Sequence, residues 1–526
     1  MRLAWPATAF VALALAACSG GNGAAPTVTP GASPTPTPRA QATPLPVQSR
    51  VTLYAADSGD YGTTLAAGDF NGDGDMDVLF AAAFADGPEN QRPDGGEAYV
   101  FLGPFQPGES RDAAAGQQDL TVFGAQEGDQ TGRSVAAGDL NGDGLDDIVI
   151  GAPFADGPDA RADAGSVAVT FGSPDLGHET RTVDLRKGAD LMVYGRAAED
   201  LAGFTVATGE LSGDGVDDLV VGAFWADGPD GSRPNGGEVY VAHGAKGRGG
   251  VLDLADGGQD VIVYGAAGGD QLSEGLAVGD VNGDGIDDLV LPATFASSRS
   301  GADAAGRTYV IYSPAGPRID LAEGEQDSVI YGVDEGDQLG HSAASGDVDN
   351  DGAADILLAA VSADGKDNAA DLSGEAVLVR GAELPPAVDV AAEGDALVYG
   401  ADSEDRLGRS AAIGDVLAGG GAELLIGAPG GAGAGEASPL AGEVYVLRIP
   451  PPGTRIVQLP ADALVLAGDD EGDSLASNVY GRPPLQTANI DGEGGDEILV
   501  SAPLGDGPDE GRQDCGEAYI LFLATD

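Results

Sequence analysis

Short apolar runs recur along the chain, each four to six residues long and cut off by Gly and Asp. A typical set reads SVAAGD (134–139), DIVIGAP (147–153), SVAVTFG (166–172) and LMVYG (191–195). Apolar side chains that alternate or run unbroken over so few residues predict β-strands, half-buried or fully buried, and no helical period competes with them. The strands come in fours, and each set carries a Gly-Asp followed by a glycine-rich acidic loop. The clearest copies are GDFNGDGDMDVLF (68–80), GDLNGDGLDDIVI (138–150), GDVNGDGIDDLVL (279–291) and GDVDNDGAADILL (346–358), with a variant GELSGDGVDDLVV (209–221). GDVLAGGGAELLI (414–426) and ANIDGEGGDEILV (488–500) are weaker copies. The loops begin at 69, 139, 210, 280, 347, 415 and 489, between 67 and 74 residues apart. Seven units of four strands predict an all-β fold, a seven-bladed β-propeller of four-stranded blades. A linear β-solenoid is the alternative, but its rungs are usually much shorter.

The chain ends predict how the ring shuts. Only 37 residues follow Asn489, enough for two strands (Glu497–Ser501 and Ala518–Phe522) and no fourth. Before the first loop stands Val51-Thr52-Leu53-Tyr54-Ala55, which looks like the outer strands LMVYG, VIVYG (261–265) and ALVYG (396–400). This N-terminal strand is expected to complete the last blade beside Ala518–Phe522, leaving no open seam.

Charge narrows the choice of partner. The 526 residues hold 86 Asp+Glu against 25 Lys+Arg, a formal net charge of −61, and none of the acids lies in residues 1–50. Such a body repels phosphate backbones and anionic headgroups, which excludes nucleic acid and favours cations. With 42% hydrophobic residues in strand-like runs, the charge does not imply disorder. Two cysteines, Cys18 and Cys515, and three isolated histidines supply neither a disulfide framework nor a zinc site.

The acidic loops are the candidate cation sites. Counting the first acidic residue as position 1, side chains at 1, 3, 5 and 9 and the carbonyl at 7 form an oxygen cage. The first copy offers Asp69, Asn71, Asp73, Asp75 and Asp77, and the second Asp139, Asn141, Asp143, Leu145 and Asp147. The fourth offers Asp280, Asn282, Asp284, Ile286 and Asp288, and the fifth Asp347, Asp349, Asp351, Ala353 and Asp355. The third (Glu210, Ser212, Asp214, Val216, Asp218) has a longer arm and a neutral hydroxyl. The seventh (Asn489, Asp491, Glu493, Gly495, Glu497) is looser. In the sixth, Leu417 and Gly419 replace ligands, and that loop is expected to hold no metal. Gly fills position 6 throughout, where a sharp turn needs freedom in φ. Hard anionic oxygens select Ca²⁺. An EF-hand would need Glu at position 12, which is apolar in every copy.

Residues 1–18, MRLAWPATAFVALALAAC, combine one early Arg with an apolar run too short to span a bilayer as a helix, which fits a secretory signal. Leu15-Ala16-Ala17-Cys18 resembles a bacterial lipobox, which implies lipidation at Cys18. Residues 19–50 are rich in Pro and Thr and read as a semi-rigid spacer, with the propeller assigned to 51–526.

The repeats resemble the FG-GAP family, the integrin α-subunit type of seven-bladed propeller. Phe123-Gly124 and Gly151-Ala152-Pro153 carry the name-giving elements, again Gly427-Ala428-Pro429 and Ser501-Ala502-Pro503. The resemblance implies Ca²⁺ in the loop between a blade's first and second strands, on the lower face, with ligands met on the upper face. The resemblance covers the propeller and does not extend to the integrin stalk domains, so heterodimer formation is not carried over. The function expected is a surface-anchored, calcium-binding module for adhesion to an extracellular protein or carbohydrate, held to the bacterial envelope through Cys18, and not an enzyme. The alternatives are an envelope scaffold without a specific ligand and a carboxylate-based hydrolase, since FG-GAP repeats accompany a phospholipase. The long loops 84–97, 154–165, 224–238 and 504–517 should crowd the upper face, either as a binding surface or as solvated turns.

Overall fold

In a computed structural model, residues 43–524 are described except 179, 418, 433–437, 449–455, 461–462, 479–480, 493 and 509–510. Cys18 and Glu493 lie outside the described residues.

The apolar runs become strands in the expected order. In the second blade Ser134–Gly138, Asp147–Ala152, Ser166–Thr170 and Leu191–Tyr194 pair antiparallel, each with its neighbour in sequence. The second strand is buried along its whole length in every blade, as in Asp147–Ala152, because both its faces pack against adjoining blades. Its near-continuous apolar sequence reflects that position. Among the described residues the strands form seven such sheets, and the inner strands neighbour one another round the whole ring. The chain is a seven-bladed β-propeller.

Each blade also carries a fifth, short strand that the hydrophobic pattern did not announce. Arg181–Asp184, from the third-to-fourth-strand connection of blade two, lies parallel to Leu120–Phe123, the outer strand of blade one. Gly250–Asp253 covers Leu191–Tyr194 in the same way, and Arg318–Asp320 covers Val261–Tyr264. Every blade therefore lends a strand to the one before it. An exposed outer edge is a template for pairing with another chain, and the lent strand occupies it.

The N-terminal strand closes the ring. Val51 pairs with Ile520, Thr52 with Tyr519 and Tyr54 with Glu517, antiparallel, so this strand is the fourth of blade seven. It runs from Val47 to Tyr54, and Thr43–Pro44 lies parallel to Leu464–Ala467 on the outer edge of blade six. Residues 43–50, read from sequence as spacer, thus contribute to two blades. Pro44 fits there because an outermost strand does not need every N–H. Val51 and Leu53 are fully buried, in a cluster joining Ile520 and Leu499 of blade seven to Phe80 and Tyr99 of blade one.

Blades are also stitched by side chains. The residue opening the inner strand is Thr or Ser in five blades, and its hydroxyl donates to a carbonyl of the next blade. Thr64 bonds Gly132 at 2.9 Å, Ser134 Gly203 at 2.8 Å, Thr205 Ser273 at 2.9 Å, Ser342 Gly408 at 2.8 Å and Ser410 Ala476 at 2.9 Å. At the closure Ser501 donates to Thr63 O at 2.6 Å.

Leu53→Ala should cost about 3 kcal/mol in reversible unfolding, the usual penalty for a buried leucine whose site cannot collapse. A cost below about 0.5 kcal/mol would mean that the N-terminal strand does not bear on closure.

Candidate metal centre

Each acidic loop joins the inner strand to the second strand, and its conformation follows from its own carboxylates. Asp69 accepts N–H bonds from Gly72 (2.7 Å) and Gly74 (3.0 Å), curling the backbone round its two oxygens. Asp139 does the same for Gly142, Asp143 and Gly144, Asp280 for Asp284 and Gly285, and Asp347 for Asp351 and Gly352. Glu210 manages it with its longer arm, accepting from Gly213 at 2.5 Å and Asp214 at 3.0 Å. The position-5 carboxylates Asp73, Asp143, Asp214, Asp284 and Asp351 each accept the N–H of position 7 (Asp75, Leu145, Val216, Ile286 and Ala353) at 3.0 Å. The position-6 glycine has φ between 72° and 93° in all seven loops, with nothing near its missing Cβ. The requirement there is the left-handed backbone itself.

The position-9 carboxylate is the anchor. Asp77 is fully buried and accepts from Phe70 N (2.9 Å) and from Gly103 N (2.8 Å), tying the loop to the chain beyond the third strand. Asp147, Asp218, Asp288 and Asp355 repeat the arrangement. Glu497 accepts from Ile490 and Asp491. Burial pushes these carboxyls up, to about 7 for Asp77, Asp147, Asp288 and Glu497 and about 6 for Asp218 and Asp355, against the pull of the N–H donors. In Asp77, Asp147 and Asp288 the neighbouring loop carboxylates add to the rise. A cation in the loop relieves both effects.

Position 3 differs between copies. Asn71 and Asn282 donate to Asp73 and Asp284 at 2.9 Å, whereas Asn141 is buried and donates to Asp147 at 3.1 Å. Ser212 reaches Glu210 at 3.4 Å. In the fifth loop the third residue is acidic, and Asp347, Asp349 and Asp355 place one oxygen each within 4.8 Å of one another. Among the described residues this is the one such carboxylate triad. Its donors are all hard oxygen, which fits a divalent cation. Arg380, 2.8 Å from Asp349, holds part of that charge. In the sixth loop Leu417 packs into the core and Arg448 lies 3.5 Å from Glu423. In the seventh, Asn489, Asp491 and Gly494 are exposed and Gly495 is half-buried.

Position 8 was not singled out in the sequence, yet it links the loops. Asp146 accepts the N–H of Asp69, one blade back, at 2.8 Å, and returns its own N–H to Asp69 O at 3.1 Å. Asp217 does so with Asp139, Asp287 with Glu210 and Asp496 with Asp415. The signal was legible as a second acid before position 9 in four of the seven copies.

On the opposite face the long second-to-third-strand loops are held by scarce arginines. Arg92 grips Asp184 with both nitrogens at 2.8 and 2.9 Å, Arg233 grips Asp320 at 2.6 and 3.0 Å, and Arg161 and Arg512 reach Asp253 and Asp112. Every one of these aspartates ends the strand lent by the following blade. The Arg92 and Arg161 guanidiniums hold Asp184 and Asp253 below the usual carboxylate range. The aspartate of each Asp-Gly-Pro is spent inside its loop: Asp86 accepts from Asp94 N at 3.1 Å and Asp506 from Asp514 N at 2.9 Å. Cys515 is buried beside Gly516, its thiol pushed up to about 12 by burial, which suits a packing role.

Fold and loops together define a propeller whose blades present acidic hairpins on one face. Residues 61–101, 131–170 and 273–311 of this propeller match the FG-GAP repeat model. The chain is similar to integrin alpha-PS2 of Drosophila melanogaster, 36% identical over 130 residues, which are 24% of this chain and 8% of that one. Integrin alpha-5 of Xenopus laevis is 32% identical over 173 residues, 32% of this chain and 15% of its own. Phosphatidylinositol-glycan-specific phospholipase D of Homo sapiens is 29% identical over 398 residues, 71% of this chain and 43% of the enzyme. The chain thus spans less than half the length of these relatives.

Arg233→Met should destabilise the protein by about 3 kcal/mol, because it removes the two-nitrogen grip on the buried Asp320 carboxylate and leaves it only the half-exposed Arg318 as an ion partner. An unchanged melting midpoint would show that the clamp carries no weight. Burial first, and neighbouring carboxylates after it, push Asp60 and Glu375 up to about 8 and Glu97 to about 7. The folded protein therefore keeps protons that the unfolded chain releases near pH 4. In chelator, melting temperature should fall steadily from pH 5 to pH 8. A rise over that range would contradict these shifts.

Proposed function

We propose that the protein is a calcium-stiffened binding module, exported and tethered to a bacterial envelope through a lipid on Cys18, that presents its propeller to an extracellular protein or carbohydrate without catalysing a reaction. The observation that carries the reading is the convergence of Asp347, Asp349 and Asp355 in a loop whose pattern recurs round the ring. Asp69, Asn71, Asp73 and Asp77 would hold an ion in the first loop, as would Asp139, Asn141, Asp143 and Asp147 in the second. Asp280, Asn282, Asp284 and Asp288 would do so in the fourth, and Asp347, Asp349, Asp351 and Asp355 in the fifth, with the position-7 carbonyl in each. Loops three and seven are weaker candidates for the reasons visible in their ligands. The integrin relatives support a binding role. Among the described residues no helix is long and apolar enough to cross a membrane.

A second reading is a hydrolase, favoured by the breadth of the match to the phospholipases. Turnover of ester or glycosidic substrates that is lost on replacing upper-face carboxylates would establish it.

Calcium titration should show several ions bound at ~0.1–1 mM, the range of extracellular sites. Each site should add ~2.7 kcal/mol of stability at a hundredfold excess over its Kd. The exposed Asp349→Ala should remove one ion from the count and leave the fold intact. A melting curve indifferent to chelator would defeat the calcium assignment, and a glycan and protein array without a specific hit would turn the reading to a scaffold.

A further inference from the structure

The residue just before the stitching hydroxyl is where the blades differ most. In ring order it is Thr63, Arg133, Phe204, Glu274, His341, Arg409 and Pro483, with Arg482 beside the last. These positions surround the end of the central channel opposite the acidic loops. Glu274, His341, Arg409, Asn478 and Arg482 line its cavity of about 410 Å³.

Arg482 reaches across from blade seven. It donates to the carbonyl oxygens of Glu274 and His341 (the latter at 3.0 Å), and to Glu274 Oε1 at 3.1 Å. Glu274 also accepts from Thr294 Oγ1 at 2.7 Å and lies 3.4 Å from His341 Nδ1. Arg482, Arg409 and Asn478 all crowd His341 Nε2, at 3.3, 3.4 and 3.4 Å. Burial, with the neighbouring arginines, lowers His341 to about 4, so its ring is neutral. The inventory is three guanidiniums against one carboxylate, two positive charges in excess in a protein whose net charge is −61.

Arg133 is the informative member. It is 9% exposed, and its guanidinium donates no hydrogen bond and joins no ion pair among the described residues, resting over the Phe204 ring at 5.6 Å. Arg482 lies over the same ring at 6.0 Å. Burial, then the charges of Arg482 and Arg409, lower Arg133 to about 10. Arg409 is likewise lowered to about 10, by burial and then by Arg482 and Arg406. A buried charge without a partner is costly, and guanidinium forks match oxyanions in geometry and in charge.

We propose that the upper mouth of the channel is a binding site for one tetrahedral dianion, a sulfate or phosphate group, held by Arg133, Arg409 and Arg482. Two negative charges balance the excess of two. The −61 body repels long polyanions, so the site admits a small group, either a free ion or the terminal ester of a larger molecule. This site is separate from the calcium loops and stands or falls without them.

Isothermal titration of the calcium-loaded protein with sodium sulfate, against chloride at matched ionic strength, tests it. Saturable binding with one sulfate per chain is expected. Arg133→Gln and Arg409→Gln should each weaken it at least ~10-fold, the loss of one charge-assisted bond. Both variants should melt higher than the parent in sulfate-free buffer, since each removes a repelling charge, and that rise separates a ligand site from a structural one. Methyl phosphate binding as tightly as sulfate would assign the site to an ester, and sulfate alone to a free ion. No saturable binding, or affinities within twofold in parent and variants, would overturn the proposal.

Discussion

A carboxylate taken out of water needs N–H donors or a cation, and this chain meets that need at every blade. The position-9 acid ends each loop at the start of the second strand, the most deeply buried strand of the blade. Asp77 shows the arrangement: two backbone N–H groups, from Phe70 and Gly103, converge on its oxygens and fix loop, inner strand and outer connection together. Because the donors are backbone, the bond recurs wherever the loop does, and the neighbouring Asp146-type residues pass it to the next blade. The toroid is thus held on one face by carboxylate-to-backbone bonds, at its inner edge by hydroxyl stitches and on the other face by arginine clamps.

Scarcity makes the arginines legible in retrospect. With 25 Lys+Arg in the whole chain, four arginines grip the strand lent by the next blade and three gather at the channel mouth. The four clamps meet half-buried or buried aspartates, so each is a local charge balance. The three at the mouth meet one carboxylate between them. That imbalance, and not their number, sets the two groups apart.

The strands, the repeat and the closure were legible in the sequence because they rest on apolar pattern and fixed punctuation. Val51–Ala55 looks like an outer strand and is one, paired with Glu517–Phe522. The lent strands were not legible: Arg181–Asp184 is largely exposed, and a strand held by backbone bonds at an edge needs no apolar pattern. Thr43–Pro44 was hidden for the same reason, inside a Pro/Thr stretch that reads as spacer. In the loops the ligand pattern was readable as residue types. Spacing alone could not show that Asn141 turns to Asp147 while Asn71 turns to Asp73. His341 looked isolated because its partners Glu274 and Arg482 stand 67 and 141 residues away. The 70-residue phase that aligned the loops would have aligned these positions as well.

The crowded loop carboxylates call for a cation among them. Anomalous diffraction from crystals grown in calcium locates such ions directly. It should show peaks inside loops 69–77, 139–147, 280–288 and 347–355, each ringed by oxygens at about 2.3–2.6 Å. Well-ordered loops at those positions with no anomalous density in any of them would contradict it.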